Sequence, residues 1–169
     1  TAFPPGLEPL EANRAPALEA GACPDEVRLA EGERPEHIWV HARGCVPANL
    51  ETTWRAMRDP EASVDRRAAA EWRVTLDTEP EYPFSYTLHI TVRRFITVQY
   101  DMAWRHGPVE GTVDAPEKVA ARFQKVFGTE TISLLEGSAF AYPRGAGSTE
   151  LELVYRLDAA LRDPADIRG

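Results

Sequence analysis

Polar and apolar positions alternate with a period of two through Phe84–His106, FSYTLHITVRRFITVQYDMAWRH. Phe84, Tyr86, Leu88, Ile90 and Val92 share one face, and Thr87, His89, Thr91 and Arg93 share the other. The alternation breaks at the Arg93–Arg94 pair. It then resumes with Ile96, Val98, Tyr100, Met102 and Trp104 together, opposite Thr97, Gln99, Asp101 and Arg105. A period of two is the signature of a strand with one buried face. Two antiparallel strands joined near Arg93–Phe95 account for the break, in a turn that lacks glycine. One long bent strand is the competing reading. The apolar stripe faces either a packed core or a cavity, and the function depends on which.

The rest of the chain supplies a consistent set of neighbours. His37–Gly44 alternates with Ile38, Val40 and Ala42 on one face and reads as a strand. Leu50, Trp54 and Met57 recur at helical spacing behind Pro47, which suits a first helical position. The alanine-rich stretch from Pro60 to Ala70 predicts a second short helix. Trp72, Val74 and Leu76 mark another strand. Residues 117–128, EKVAARFQKVFG, fit helix or strand, since Val119, Phe123 and Val126 are helix-spaced. Residues 129–143 favour strand, Gly145–Gly147 reads as a hairpin turn, and Leu151, Leu153, Tyr155 and Leu157 share a face of the closing strand. LRDPADIRG, residues 161–169, reads as the first turn of a helix.

Composition changes this picture at the N-terminus. The first 36 residues hold six of the fourteen prolines, eight acids and three arginines, a poor basis for burying surface. Residues 1 to about 35 therefore predict a linker, or an extension laid over the domain surface, with the globular domain from residue 36 to 169. A net charge of −8 leaves no basic stripe to neutralise phosphates, which argues against nucleic acid. No apolar run is long enough for a membrane-spanning helix.

Candidate chemistry is sparse. Cys23 and Cys45 either form one disulfide, tying the extension to the domain, or are two free thiols. His37 and His41 lie roughly 13 Å apart on a strand, and no cysteine has metal-ligand spacing, so no metal site is expected. His89 and His106 read as surface histidines. Arg43, Arg73, Arg93 and Arg105 fall on faces assigned to a solvated exterior. Ser138 in EGSAF is not a nucleophile elbow, no phosphate or dinucleotide loop is present, and no cofactor is implied. Two alternatives stay open for Tyr86, Tyr100, Met102 and Trp104: ordinary core, or lining of a ligand cavity with Tyr142 and Tyr155 adding hydroxyls.

Four phrases, ARGCVPANLETTWRAMRDPE, DMAWRH, FQKVFGTETISLLEGSAFAYP and STELELVYRLDAAL, resemble the START and birch-pollen-allergen superfamily, also called SRPBCC or polyketide cyclase/dehydrase-like. The resemblance covers about His37 to Asp163. It implies an α+β helix-grip fold, a curved antiparallel sheet wrapped around a C-terminal helix, with two short helices after the first strand. It also implies an internal apolar cavity. On that basis the expected partner is a small hydrophobic ligand, a lipid or aromatic metabolite, bound without catalysis. A cyclase-, dehydratase- or hydrolase-like enzyme using the same cavity is the alternative, and an interaction module with a filled core is the third. The proline- and alanine-rich leader, the two cysteines and the presence of only two lysines point to export, periplasmic or secreted.

Overall fold

The computed structural model describes residues 2–21, 23–145 and 147–160. Eight antiparallel strands form one sheet in the order β1-β2-β8-β7-β6-β5-β4-β3. They are β1 (Arg28–Arg34), β2 (His37–Val46), β3 (Glu71–Leu76), β4 (Phe84–Arg93), β5 (Thr97–Gly111), β6 (Pro116–Gly128), β7 (Ile132–Pro143) and β8 (Thr149–Ala159). One helix, α1 (Leu50–Met57), packs on β6 and β7. The face it covers is called inner, the opposite face outer.

The alternating stretch is two strands, not one. Tyr86 faces Trp104, Leu88 faces Met102 and Ile90 faces Tyr100 across the β4–β5 pair. Residues 117–128 are strand: Val119, Ala121 and Phe123 pair with Ala141, Ala139 and Gly137 on the inner face. Tyr86, Leu88, Met102, Phe123 and Leu135 form the main core, with Leu153, Tyr155 and Leu157 packed against it. Phe123 lies over Gly137, where a Cβ would come within 2.0 Å of the ring, so glycine is required beneath this aromatic.

Three expectations change. The helix starts at Leu50 rather than Pro47, because the Asn49 side chain accepts the Thr52 N–H at 2.9 Å and caps the first turn. Pro60–Ser63 is a single 3-10 turn, not a second α-helix. Val64 then turns extended and drives its side chain into the core, which ends the turn. Arg28–Arg34, assigned by composition to the extension, pairs with β2 as an edge strand. The helix start expected at residues 161–169, and with it the C-terminal helix of the expected grip, lies outside the described residues.

Residues 2–20 cross the outer face as a strap without strand pairing. Leu7 is only 2% exposed, above Gly107, and the Phe3 ring meets Phe140 at 5.3 Å. Cys23 is disulfide-bonded to Cys45 on β2, just beyond the strap's end.

Candidate functional site

A cavity of about 460 Å³ opens between α1 and the inner face. Its roof is Thr52, Thr53, Ala56 and Met57 of α1, continued by Ala62 and Ser63 of the 3-10 turn. Its floor is Trp104, Ala121, Ala139, Leu151 and Leu153, one or two residues from each of four adjacent strands. The space exists because the floor is built from small side chains where α1 bridges it. Leu50 and Trp54 seat the helix on Val119 and Ala141, one register step beyond the Ala121–Ala139 pair. The walls are mostly apolar; the polar members of the lining are Thr52, Thr53, Ser63 and Glu152, whose carboxylate pairs with Arg43 and Tyr142 on the outer face. Among the described residues the indole N–H of Trp104 and the Thr53 hydroxyl make no hydrogen bond.

Of the residues expected to line a cavity, Trp104 lines this one. Tyr86, Tyr100, Met102 and Tyr155 share its face but belong to the core or pack on it. The buried Tyr86 hydroxyl pairs with Ser63 Oγ at 2.8 Å. Burial pushes this phenol up to about 12, a rise that the Ser63 bond opposes and the charge of Asp59 reinforces. Burial also raises Tyr100, with Asp65 adding to the effect, and raises Tyr155. Tyr142 is on the other side of the sheet. Its hydroxyl donates to Glu152 Oε1 at 3.1 Å on the outer face, and burial beside Glu150 and Glu152 holds the phenol high.

His106, expected at the surface, is fully buried, 0% exposed. It continues the phase of Tyr100, Met102 and Trp104, which is the signal that could have placed it. Its ring lies beside those of Trp104, at 5.8 Å and 9°, and Tyr86, at 5.4 Å, which also meet each other at 5.8 Å, with Trp54 at 6.3 Å. Neither ring nitrogen reaches a hydrogen-bond partner among the described residues. Burial pushes its pKa down to about 4, which the nearby backbone of Phe84 and Met57 opposes only in part. The imidazole is therefore neutral at pH 7, and it sits behind the cavity wall rather than in it.

The other histidines occupy the outer face. His89 Nδ1 lies 2.8 Å from Asp101 Oδ1 and Nε2 lies 3.1 Å from Thr75 Oγ1, partly exposed. His41 is buried, and its Nδ1 accepts the Arg14 N–H at 2.8 Å. Arg43 and Arg105 face outward as expected but are not free in solvent. Arg43 pairs with Glu152 at 2.7 Å and Arg105 with Glu79 at 2.6 Å, each largely covered. Among the described residues no group of three or more His, Cys, Asp or Glu side chains is placed to hold a metal ion, and no helix is long and apolar enough to cross a membrane.

No protein-family model matches the sequence, and no curated protein matches it. Solved structures do match. The human StarD13 lipid transfer and protein localization domain superposes with a TM-score of 0.59 over 87% of this chain and 77% of its own, at 12% identity. Human StAR-related lipid transfer protein 5 gives 0.59 over 94% of this chain and 78% of its own, at 10% identity. This is the START-type fold. The Zhui aromatase/cyclase from Streptomyces sp. R1128 shares it, with a TM-score of 0.51 over 76% of this chain and 71% of its own, at 12% identity. One START-type fold thus carries both lipid transfer and cyclase chemistry in these proteins, so the cavity's own lining has to decide what this chain does.

Proposed function

We propose that this START-like chain binds a small, largely apolar molecule, a lipid fragment or aromatic metabolite, in the cavity between α1 and the inner face. One observation carries the reading: a space of about 460 Å³ lined mostly by Val46, Met57, Trp104, Leu151, Leu153 and alanines, with three hydroxyls and Glu152, a carboxylate already paired with Arg43. That volume lies in the range of drug-sized ligand sites, and a mostly apolar wall with few polar anchors is their usual composition. The cyclase-like alternative would call on His106. Its imidazole is neutral, as a general base requires, but a pKa near 4 makes it a weak base and it is not among the residues that line the cavity. The lining therefore favours binding over catalysis. The Cys23–Cys45 disulfide supports residence in an oxidising compartment, the periplasm or the exterior.

A solvent-sensitive naphthalene dye tests the reading. It should bind with a Kd of about 1 μM, about −8 kcal/mol, with a blue-shifted, enhanced emission. Ala139→Leu, which fills the floor with a larger apolar side chain, should weaken binding at least tenfold while leaving the unfolding midpoint within a few degrees. Absence of saturable binding to the parent chain would remove the reading.

A further inference from the structure

We infer that the outer face of the sheet is a peptide-recognition groove, with the strap as its built-in, exchangeable occupant. The partner it fits is an extended, acidic, proline-containing peptide. The strap is held the way a peptide ligand is held, through its backbone. Arg122 Nη1 donates to the Glu8 carbonyl at 2.8 Å, Arg43 Nε to the Ala15 carbonyl at 3.0 Å, Arg156 Nη2 to the Leu10 carbonyl at 3.5 Å, and Arg144 to the Glu19 carbonyl. Ser138 Oγ accepts the Leu10 N–H at 3.1 Å, and His41 accepts that of Arg14.

Side chains add sequence specificity: beside Phe3 on Phe140 and Asn13, whose Nδ2 donates to the Ala42 carbonyl at 3.0 Å, two stand out. Leu7 fills a socket that exists because position 107 is glycine, where a Cβ would come within 2.7 Å of Leu7 Cδ1. Glu11 sits among Arg156 at 3.0 Å, Arg34 at 3.3 Å and His41 Nε2 at 3.5 Å.

The groove is also built to stand without the strap. Three of the four arginines that hold the strap's carbonyls keep a sheet carboxylate of their own: Arg43 with Glu152 at 2.7 Å, Arg156 with Glu136 at 3.2 Å and Arg144 with Glu150 at 2.6 Å. Departure of the strap would leave these three charges paired, while Arg122 and the part-exposed Arg34 would lose their strap contacts, so the cost of exchange is lowered. Nor is the strap packed tightly along its whole length, although Leu7 and Ala15 are buried. A space of about 200 Å³ remains between it and the sheet, bounded by Phe3, Leu7, Pro9, Ser138, Phe140 and Val154.

The experiment makes the strap a separable ligand in an otherwise complete chain. A sequence-specific protease site introduced at Ala20–Gly21, both exposed, lets the strap be cut while the disulfide keeps Cys23 on β2. After cutting, a fluorescent peptide of residues 1–20 should replace the strap at micromolar concentration, read by anisotropy. Leu7→Ala in the peptide, which leaves the folded partner untouched, and Arg156→Ala in the chain should each weaken replacement at least tenfold. A scrambled peptide of the same composition should not compete. A cut strap that resists replacement by a hundredfold excess for a day, or a scrambled peptide that binds as well as the native one, would overturn the inference.

Discussion

Trp54→Ala is expected to lower the stability of the chain by about 4 kcal/mol, which corresponds to roughly 12 °C in melting temperature. An eight-residue helix has no stability of its own in water, so α1 depends on what it docks against. Trp54 supplies most of that docking. It is 2% exposed, packs with Leu50 on Val119 and Ala141, and meets the Phe84 ring edge-to-face at 5.8 Å. The Arg58 guanidinium covers both rings, 4.9 Å from Trp54 and 4.1 Å from Phe84. Alanine removes the whole contact and leaves a void against His106. Because α1 is also the roof of the cavity, dye binding should fall with stability. Urea unfolding of parent and variant measures the first effect. A loss under about 1 kcal/mol would mean that α1 is not seated through this residue.

Acid should destabilise the chain through His106. Its folded-state pKa, about 4, lies below the ordinary value of 6.5, so the unfolded chain takes up a proton that the folded chain refuses. The contribution is fully present above pH 6.5. It is lost progressively as the pH falls toward 4, to a total of about 3 kcal/mol. His41, whose pKa burial also lowers despite the opposing pull of Glu11, acts in the same direction, so the test is a difference. In His106→Phe the aromatic stack is kept and the titrating group removed. The stability gap between variant and parent should widen by about 3 kcal/mol between pH 7 and pH 4. Parallel pH profiles would contradict a buried, neutral imidazole at this position.

The inner face was legible in the sequence wherever one face of a strand is apolar and the other polar. The β4–β5 pair, β2 and β8 all obey that rule, and their registers put the expected residues together. Where both faces are covered, the rule loses its grip. On β7 the small residues Gly137, Ala139 and Ala141 face inward beneath Phe123, the cavity and α1. The large ones, Phe140 and Tyr142, face outward, where Phe3 and the carboxylates of β8 receive them. An expectation that big aromatics point to the cavity therefore puts Tyr142 on the wrong side.

The same covering hid the strap. Its composition argues that it buries little, yet Glu11 is largely covered because arginines and a histidine from β1, β2 and β8 converge on it. Those partners lie between 23 and 145 positions away and leave no local trace. The cavity was equally invisible from side chains that fill space, since it is made by two alanines, Ala121 and Ala139, that do not. His106 alone among the missed residues carried a readable mark, its phase with Trp104.

The most direct test of the central claim is where an apolar ligand binds. In a two-dimensional amide spectrum titrated with the naphthalene dye, the amides of Thr52, Thr53, Ala56 and Met57 and the indole N–H of Trp104 should shift together along one saturable curve. Shifts confined to Leu7–Asn13 and the outer face, or no saturable shift at all, would contradict a ligand cavity beneath α1.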